Sequence, residues 1–421
     1  MKVLVVGGGG REHAIIKKLK QNKRISTIYA APGNGGISCD ATCVAIKATD
    51  IDSMVAFAQQ NKIDFVVVAP DDPLVLGMVD SFEAVGIKAF GPNKAAAILE
   101  GSKVFSKELM KKYNIPTAAY ETFDNVDEAI AYVKSQNSYP TVIKADGLAL
   151  GKGVIIAETL AEAEEGIRSI MEDKVFGASG NHIVIEEFLT GPEVSVLSFC
   201  DGKTIVPMVS AMDHKRALDN DKGLNTGGMG TIAPNPFFTE DVLKECQKTI
   251  FEPTMEAMNQ EGRPFKGVIF FGLMITPNGT KVIEYNCRFG DPETQVVLPL
   301  LKTDLYDIFE AVVDERLNEI NIEFDTKSAA CVIMASGGYP QKYQTDFEIS
   351  GLDKNGQCSG ATVYHSGTKL DTAFKTAGGR ALGVSTLGDT LNDAITNAYC
   401  AVDTIHFKHA HYRKDIGKKA L

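Results

Sequence analysis

Residues 141–154 read TVIKADGLALGKGV. A β-branched run ends in Lys144, glycines follow at 147, 151 and 153 around a second lysine, and another apolar run starts at Val154. That is the pattern of strand, glycine-rich loop, strand. Glycine lets a backbone approach a ligand without a Cβ, and lysine supplies compact positive charge, so the loop suits a polyphosphate. It is not a Walker A loop. Three residues instead of four separate Gly147 from Gly151, Gly153 stands where a Mg-binding Ser or Thr belongs, and a strand pattern follows in place of a helix. A surface hairpin fits the same residues equally well, so the choice depends on the rest of the chain.

A chain of 421 residues exceeds one ordinary core and calls for two to four domains. Its 44% hydrophobic and 23% charged residues are those of a globular protein. With 43 basic against 54 acidic residues the net charge is −11, which argues against nucleic-acid and anionic-membrane partners. A phosphate site must then be a local basic pocket. No signal-peptide core and no bilayer-length apolar run is present, so a cytoplasmic location is expected. The eight cysteines include no CxxC pair and read as reduced thiols.

Upstream, a strand at Lys2 to Val6 runs into Gly7-Gly8-Gly9-Gly10, and Arg11-Glu12-His13 opens a helix, an arrangement that offers backbone N–H groups to an anion. A dinucleotide site is disfavoured, because His13 stands at the third glycine and the strand Thr27 to Ala30 ends without an acid for the ribose. Strands at Thr42 to Ile46 and Phe65 to Ala69, with a helix from Asp52 to Asn61, extend a parallel βαβ domain to about residue 100. Pro70-Asp71-Asp72-Pro73 is either part of a ligand crevice or a solvated turn. Lys103 opens a helix, and Thr159 to Glu162 is a capping-box pattern.

Downstream, the strand His182 to Glu187 enters Phe188-Leu189-Thr190-Gly191-Pro192-Glu193, an apolar slot for a base followed by a carboxylate for ribose hydroxyls. After the hairpin of Val194 to Phe199 and Thr204 to Val209, the polar tract Asp213 to Gly230 reads as a long functional loop without regular structure. Strands follow at Val268 to Ile275 and Lys281 to Glu284. Glu284 and Asn286, two apart, share one face and could ligate Mg²⁺ together, and Arg288 shares that face if the strand continues. A solvated strand end is the alternative. Beyond about residue 329 come three strands and a helix capped at Thr390, with the turns Ser336 to Pro340 and Ala377 to Arg380 read as hairpin and cap chemistry.

Taken together, GGGGREHA (7–14), GSK (101–103), KADGLALGKGV (144–154), EEFLTGPE (186–193), DHKRALDNDKGLNTGGMG (213–230) and EYNCRFGDPETQ (284–295) resemble the ATP-grasp enzymes, and within them the phosphoribosylamine–glycine ligase family. The resemblance implies an α/β (α+β overall) chain in three parts: an N-terminal parallel βαβ domain, 1–101; an ATP-grasp domain of two antiparallel α+β subdomains, 102–328, with a mobile flap at about 117–192; and a small C-terminal mixed β domain, 329–421. It implies ATP-dependent ligation of glycine to 5-phosphoribosylamine with Mg²⁺ or Mn²⁺, by a monomer that binds neither nucleic acid nor membrane. Another ATP-grasp carboxylate–amine ligase or a carboxylase is the alternative. By the same resemblance Lys103, Lys144, Gly151, Gly153, Glu186, Glu187, Phe188, Leu189 and Glu193 would contact ATP, and Glu284 and Asn286 the metal. Gly8, Gly9, Arg11, Asp213, Lys215, Gly228, Arg288 and Glu293 would face the other substrates, with Arg288, Lys144 and Asp213 catalytic. Two departures stand out. Phe265 to Ile275 lacks the additional metal carboxylate common in the superfamily, and Gly191-Pro192-Glu193 replaces a familiar pair of acids.

Overall fold

The computed structural model describes residues 1–148 and 153–421, so Gly151 lies outside the described residues. The first sheet is parallel, with strands Thr42–Cys43, Thr27–Pro32, Lys2–Gly7, Phe65–Val68 and Lys88–Phe90 in that spatial order. Val3 to Val6 are closed to solvent, as suits a central strand with both faces covered, and this is why the run is continuously apolar instead of alternating. Strand order reverses at Lys2–Gly7, between Thr27–Pro32 and Phe65–Val68. Such a reversal opens a crevice at the carboxyl ends of the strands. The glycine run and Asp71 lie at that crevice. The expected strand Thr42 to Ile46 shrinks to an edge pairing at Thr42 and Cys43.

The stretch that opened the reading forms an antiparallel pair, Thr141–Ala145 with Val154–Ala157. They belong to a four-stranded sheet in the order Tyr120–Phe123, Ile183–Glu187, Thr141–Ala145, Val154–Ala157. Helices Val126–Gln136 and Leu160–Met171 bury Ile130, Val133, Ile167 and Ile170 against it. Each such side chain contributes about 1.5–3 kcal/mol by leaving water. Thr159 caps its helix through Glu162 N–H, while the Glu162 carboxylate accepts from Glu158 N–H, one residue earlier than a reciprocal box requires.

A second antiparallel sheet runs Ile205–Pro207, Glu193–Cys200, Gly267–Thr276, Gly279–Asn286. The two sheets join where Thr117 bridges Val282 and where Gly191 crosses from one to the other. Gly191 has φ +146°, and a Cβ there would lie 2.0 Å from Ile275 O, so no other residue fits this crossing without a shift of backbone.

The last sheet is built on Ser328–Ser336, Arg380–Gly388 and Thr362–His365, with helix Leu391–Val402 packed on it. It also takes in Met212–Asp213 and Gly230–Ala233. This corrects the reading of residues 213–230 as irregular: a hairpin, Arg216–Leu218 with Lys222–Asn225, fills the interval. Its strands are too short and glycine-rich to show a period of two, and Asn220 and Asp221 make the left-handed tip at φ 58° and 51°.

Candidate active site

Three buried groups lie where the two antiparallel sheets join. Lys144, next to last in its strand, has Nζ 3.0 Å from the Glu186 carboxylate and donates to Ile283 O across the join. Lys107 reaches the same carboxylate at 3.1 Å. The three side chains are at most 6% exposed. Burial pushes the Lys107 ammonium down to about 8 despite Glu186. One carboxylate thus serves two lysines, leaving excess positive charge for an anion. Lys103, at the start of helix Lys103–Lys112, donates to Gly147 O at 2.8 Å. The N-terminus of that helix holds the Asp146 carboxylate, which accepts from Ser102 Oγ and Val104 N–H at 3.1 Å each. The start of the glycine-rich loop is thereby tied to the GSK segment.

Glu284 and Asn286 emerge on one face of Gly279–Asn286 as their spacing requires. Lys215 Nζ lies 3.4 Å from Glu284. Lys215 above all, with Lys144 and Lys103, holds the Glu284 carboxyl down at about 2 against the partial desolvation of a side chain about a third exposed. The strand ends at Asn286, so Arg288 is not part of it. Its guanidinium nevertheless curls back to donate to Asn286 Oδ1 at 2.9 Å and pairs with buried Glu100 at 3.1 Å. One ionised carboxylate and one amide oxygen, facing a cluster of lysines, form a donor set of hard oxygens that fits Mg²⁺ or Mn²⁺ carried in with phosphates. Among the described residues no three His, Cys, Asp or Glu converge into a self-sufficient metal site. Two protein oxygens alone do not fill the coordination sphere of such an ion.

At the crevice of the parallel sheet, Glu12 accepts from Gly9 N–H at 2.6 Å and from Arg11 Nε at 2.7 Å. Arg11 also donates to Phe289 O. The glycines are required by their neighbours: a Cβ at Gly8 would lie 2.4 Å from Gly33 O, and one at Gly10 would lie 2.6 Å from Gln295 Nε2 and 2.7 Å from Ser366 Oγ. Asp71 is not a solvated turn. Burial would raise its carboxyl, yet Arg288 and Arg11 outweigh that and hold it below the ordinary range.

A third group gathers around Asp213. Burial and the nearby Glu293 carboxylate raise Asp213 well above the ordinary range, and burial raises Glu293, which accepts from Ser195 Oγ at 3.1 Å. Gly228 (φ +115°) is confined between Asp213 and Pro292, since a Cβ would lie 2.5 Å from Pro292 and 2.7 Å from Asp213. His214, between Asp213 and Lys215, is locked as one neutral tautomer. Its Nε2 accepts from Gly417 N–H at 3.1 Å, so Nδ1 carries the hydrogen donated to Gly230 O, and burial lowers its pKa to about 4.

With this geometry in place, the sequence matches the phosphoribosylglycinamide synthetase N domain over residues 1–100, its ATP-grasp (A) domain over 101–294 and its C domain over 329–419. The chain belongs to this family. Phosphoribosylamine–glycine ligase of Clostridium acetobutylicum is 50% identical over 419 residues, covering 99% of this chain and 100% of that protein. The ligase of Escherichia coli K12 is 46% identical over 426 residues, covering 100% and 99%. The crystal structure of phosphoribosylamine–glycine ligase from Thermotoga maritima superposes with a TM-score of 0.83 at 31% identity, covering 99% of this chain and 100% of that one. A biotin carboxylase domain from Hydrogenobacter thermophilus shares the fold at 15% identity, with a TM-score of 0.75 over 97% of this chain and 91% of that one.

Within this family member, Lys103, Lys144, Glu186, Lys215, Glu284, Asn286 and Arg288 converge, and Gly8, Gly9, Arg11, Asp213, Gly228 and Glu293 line the adjoining space. The segment Glu187 to Leu189 lies at the rim. Glu187 ties the two sheets together by accepting from Lys281 Nζ at 2.7 Å and Ala119 N–H at 3.0 Å, and Phe188 is 39% exposed. Glu193 is over half exposed, 3.9 Å from Lys215. Gly153 closes the strand pair by accepting from Ala145 N–H at 2.8 Å. The reading by residue type missed Lys107, Glu100 and Arg380. Lys107 lies one helical turn after Lys103, and Glu100 is an acid ending an apolar helix, Lys94–Gly101; both carry a visible signal.

Proposed function

We propose that this chain joins glycine to 5-phosphoribosylamine at the expense of ATP, giving glycinamide ribonucleotide, ADP and phosphate. The observation that carries this reading is the convergence of Lys144, Lys103, Lys215 and Glu284 where two antiparallel sheets join, beside a glycine-rimmed crevice with Arg11 and Arg288. The lysines suit a polyphosphate and the arginines suit a second, phosphorylated ligand. The glycine carboxylate is a poor electrophile. Its oxygen attacks the γ-phosphorus, ADP leaves, and glycyl phosphate forms. The amine nitrogen of phosphoribosylamine then attacks the carbonyl carbon, phosphate departs, and the nitrogen sheds a proton, for which the Asp213–Glu293 pair is the nearby acceptor.

No protein nucleophile is called for. The chain positions the reactants and stabilises developing charge with Lys144, Lys215 and Arg288. Glu284 and Asn286 would hold Mg²⁺ or Mn²⁺, which neutralises phosphate charge when bound. By the family resemblance, the glycine-rich segment that includes Gly151 and Gly153 would close over the phosphates and keep water from the acyl phosphate. We take the chain to act as a monomer of three parts bounded near residues 101 and 328. Eight unpaired cysteines, and the absence among the described residues of any helix long and apolar enough to cross a membrane, support work in the cytoplasm. The test is ADP release from the purified chain with Mg²⁺: it must require glycine and phosphoribosylamine together. ATP turnover indifferent to glycine would refute the reading.

A further inference from the structure

The last sheet sends one cation back into the site. Arg380 begins strand Arg380–Gly388, directly after Gly378 and Gly379, yet its guanidinium points toward a turn some 150 residues earlier. Its Nη1 donates to Gly227 O at 2.7 Å, to Asp291 O at 2.8 Å and, more weakly, to Gly228 O at 3.4 Å. The Nη2 atom lies 3.4 Å from the Asp291 carboxylate. From the neighbouring turn the Tyr339 hydroxyl accepts from Gly227 N–H at 3.1 Å. Both polar groups of Gly227 are therefore held from the last sheet, where a loop of glycines has no side chains to hold itself. Asp291, fixed by Arg380, is also bonded by Gln295 and faces Arg11 N–H, so the same guanidinium braces the glycine run at the crevice.

We propose that Arg380 is a positioning residue that sets the Thr226–Met229 turn, and through it the places of Gly228 and Asp213 opposite glycine and phosphoribosylamine. Gly227 and Gly228 have no side chains with which to hold their own place in the turn. Thr226 N–H and Oγ1 bond Lys215 O, and Met229 N–H bonds His214 O, so a shift of Gly227 and Gly228 is passed to the two residues that follow Asp213. None of these contacts reaches Lys144, Lys103 or Glu186, and Lys215 is met only at its backbone carbonyl, while its ammonium is held separately beside Glu284. The effect should therefore fall on the acceptor side of the reaction and spare the nucleotide.

This inference rests on the function proposed above, and wild-type turnover with glycine and phosphoribosylamine separates the two: without that turnover the function fails, whatever Arg380 does. In Arg380→Gln we expect KM for glycine or phosphoribosylamine to rise at least about tenfold while KM for ATP stays within about twofold, the scale of losing charge-assisted hydrogen bonds. Arg380→Lys should recover only part of that rise, since one ammonium cannot reproduce a fork aimed at two carbonyls and a carboxylate. Equal changes in all three KM values, a fall in kcat alone, or no change would overturn the proposal. Should Arg380→Gln not fold, Tyr339→Phe decides. It removes only the acceptor of Gly227 N–H, and about a threefold rise confined to the same acceptor-side KM is expected; its absence overturns the proposal.

Discussion

Replacing Glu186 by Gln takes away the carboxylate that Lys144 and Lys107 share, and the resulting loss of stability can be bounded from the structure. Lys107 is 3% exposed, and its ammonium has a pKa of about 8 against an ordinary 10.5. At about 1.4 kcal/mol per pH unit, keeping it charged at neutral pH already costs the native protein roughly 3 kcal/mol. A lysine avoids any larger cost by releasing its proton, which at pH 7 is worth no more than about 5 kcal/mol. Losing Glu186 therefore adds roughly 1–2 kcal/mol at Lys107 and at most about 5 kcal/mol at Lys144. A broken buried pair ordinarily costs about 3–5 kcal/mol, inside that bound, and this is the loss expected at pH 7.

The sign of the pH dependence follows from the lowered pKa. Between pH 8 and 10.5 the unfolded chain holds the Lys107 proton more tightly than the native one, so this group's cost fades as pH rises. At pH 9.5 the limit per lysine shrinks to about 1.4 kcal/mol, and the deficit of Glu186→Gln should drop below about 2 kcal/mol. Urea unfolding of both proteins at the two pH values measures this. A deficit that is the same at both, or below about 1 kcal/mol at pH 7, would refute the shared-carboxylate reasoning.

Glu284→Ala should leave the fold intact, since the side chain is about a third exposed, but lower turnover at least about a hundredfold at saturating Mg²⁺; near-normal turnover would mean the carboxylate is a solvated strand end. If Asp213 takes up the amine proton, the acid limb of kcat/KM for phosphoribosylamine lies above the ordinary carboxylate range, because a neighbouring negative charge and burial raise its pKa. Glu293→Gln removes that neighbouring charge and should move the limb to lower pH; an unmoved limb would assign it to another group.

The parts of the site legible in the sequence are those whose geometry is local. Glu284 and Asn286 share a face because strands repeat every two residues, and Lys144 is marked by the β-branched run that it ends. Glycines 7–10 were read as a cradle for an anion, and the structure adds a second reason for them in the close approach of Gly33, Gln295 and Ser366. Lys107 and Glu100 escaped because their significance depends on which helical face turns toward the sheets. Asp71 read equally as a turn or a ligand until Arg11 and Arg288, from opposite ends of the sequence, were brought to it. Arg380 was hidden more deeply: its flanking glycines fit a plain hairpin, and its partners lie 89 to 153 residues away. Met212–Asp213 and Gly230–Ala233 eluded pattern reading because they are held by a sheet whose other members come from beyond residue 327.

The fastening of the Arg216–Asn225 hairpin also bears on the order in which the molecule assembles. Arg413 bonds Arg216 O and the Asp221 carboxylate, Lys414 N–H bonds Asp219, Asp415 accepts from Asn220 N–H, and Gly417 N–H reaches His214, across sequence separations of 192–203 residues. Such distant contacts are entropically expensive and form late. The nucleotide half, whose last named member is Asn286, can be complete while the acceptor half still waits for residues 413–417. During synthesis the chain would thus acquire the means to hold ATP well before the means to spend it, and activity would return on refolding after the bulk of the secondary structure.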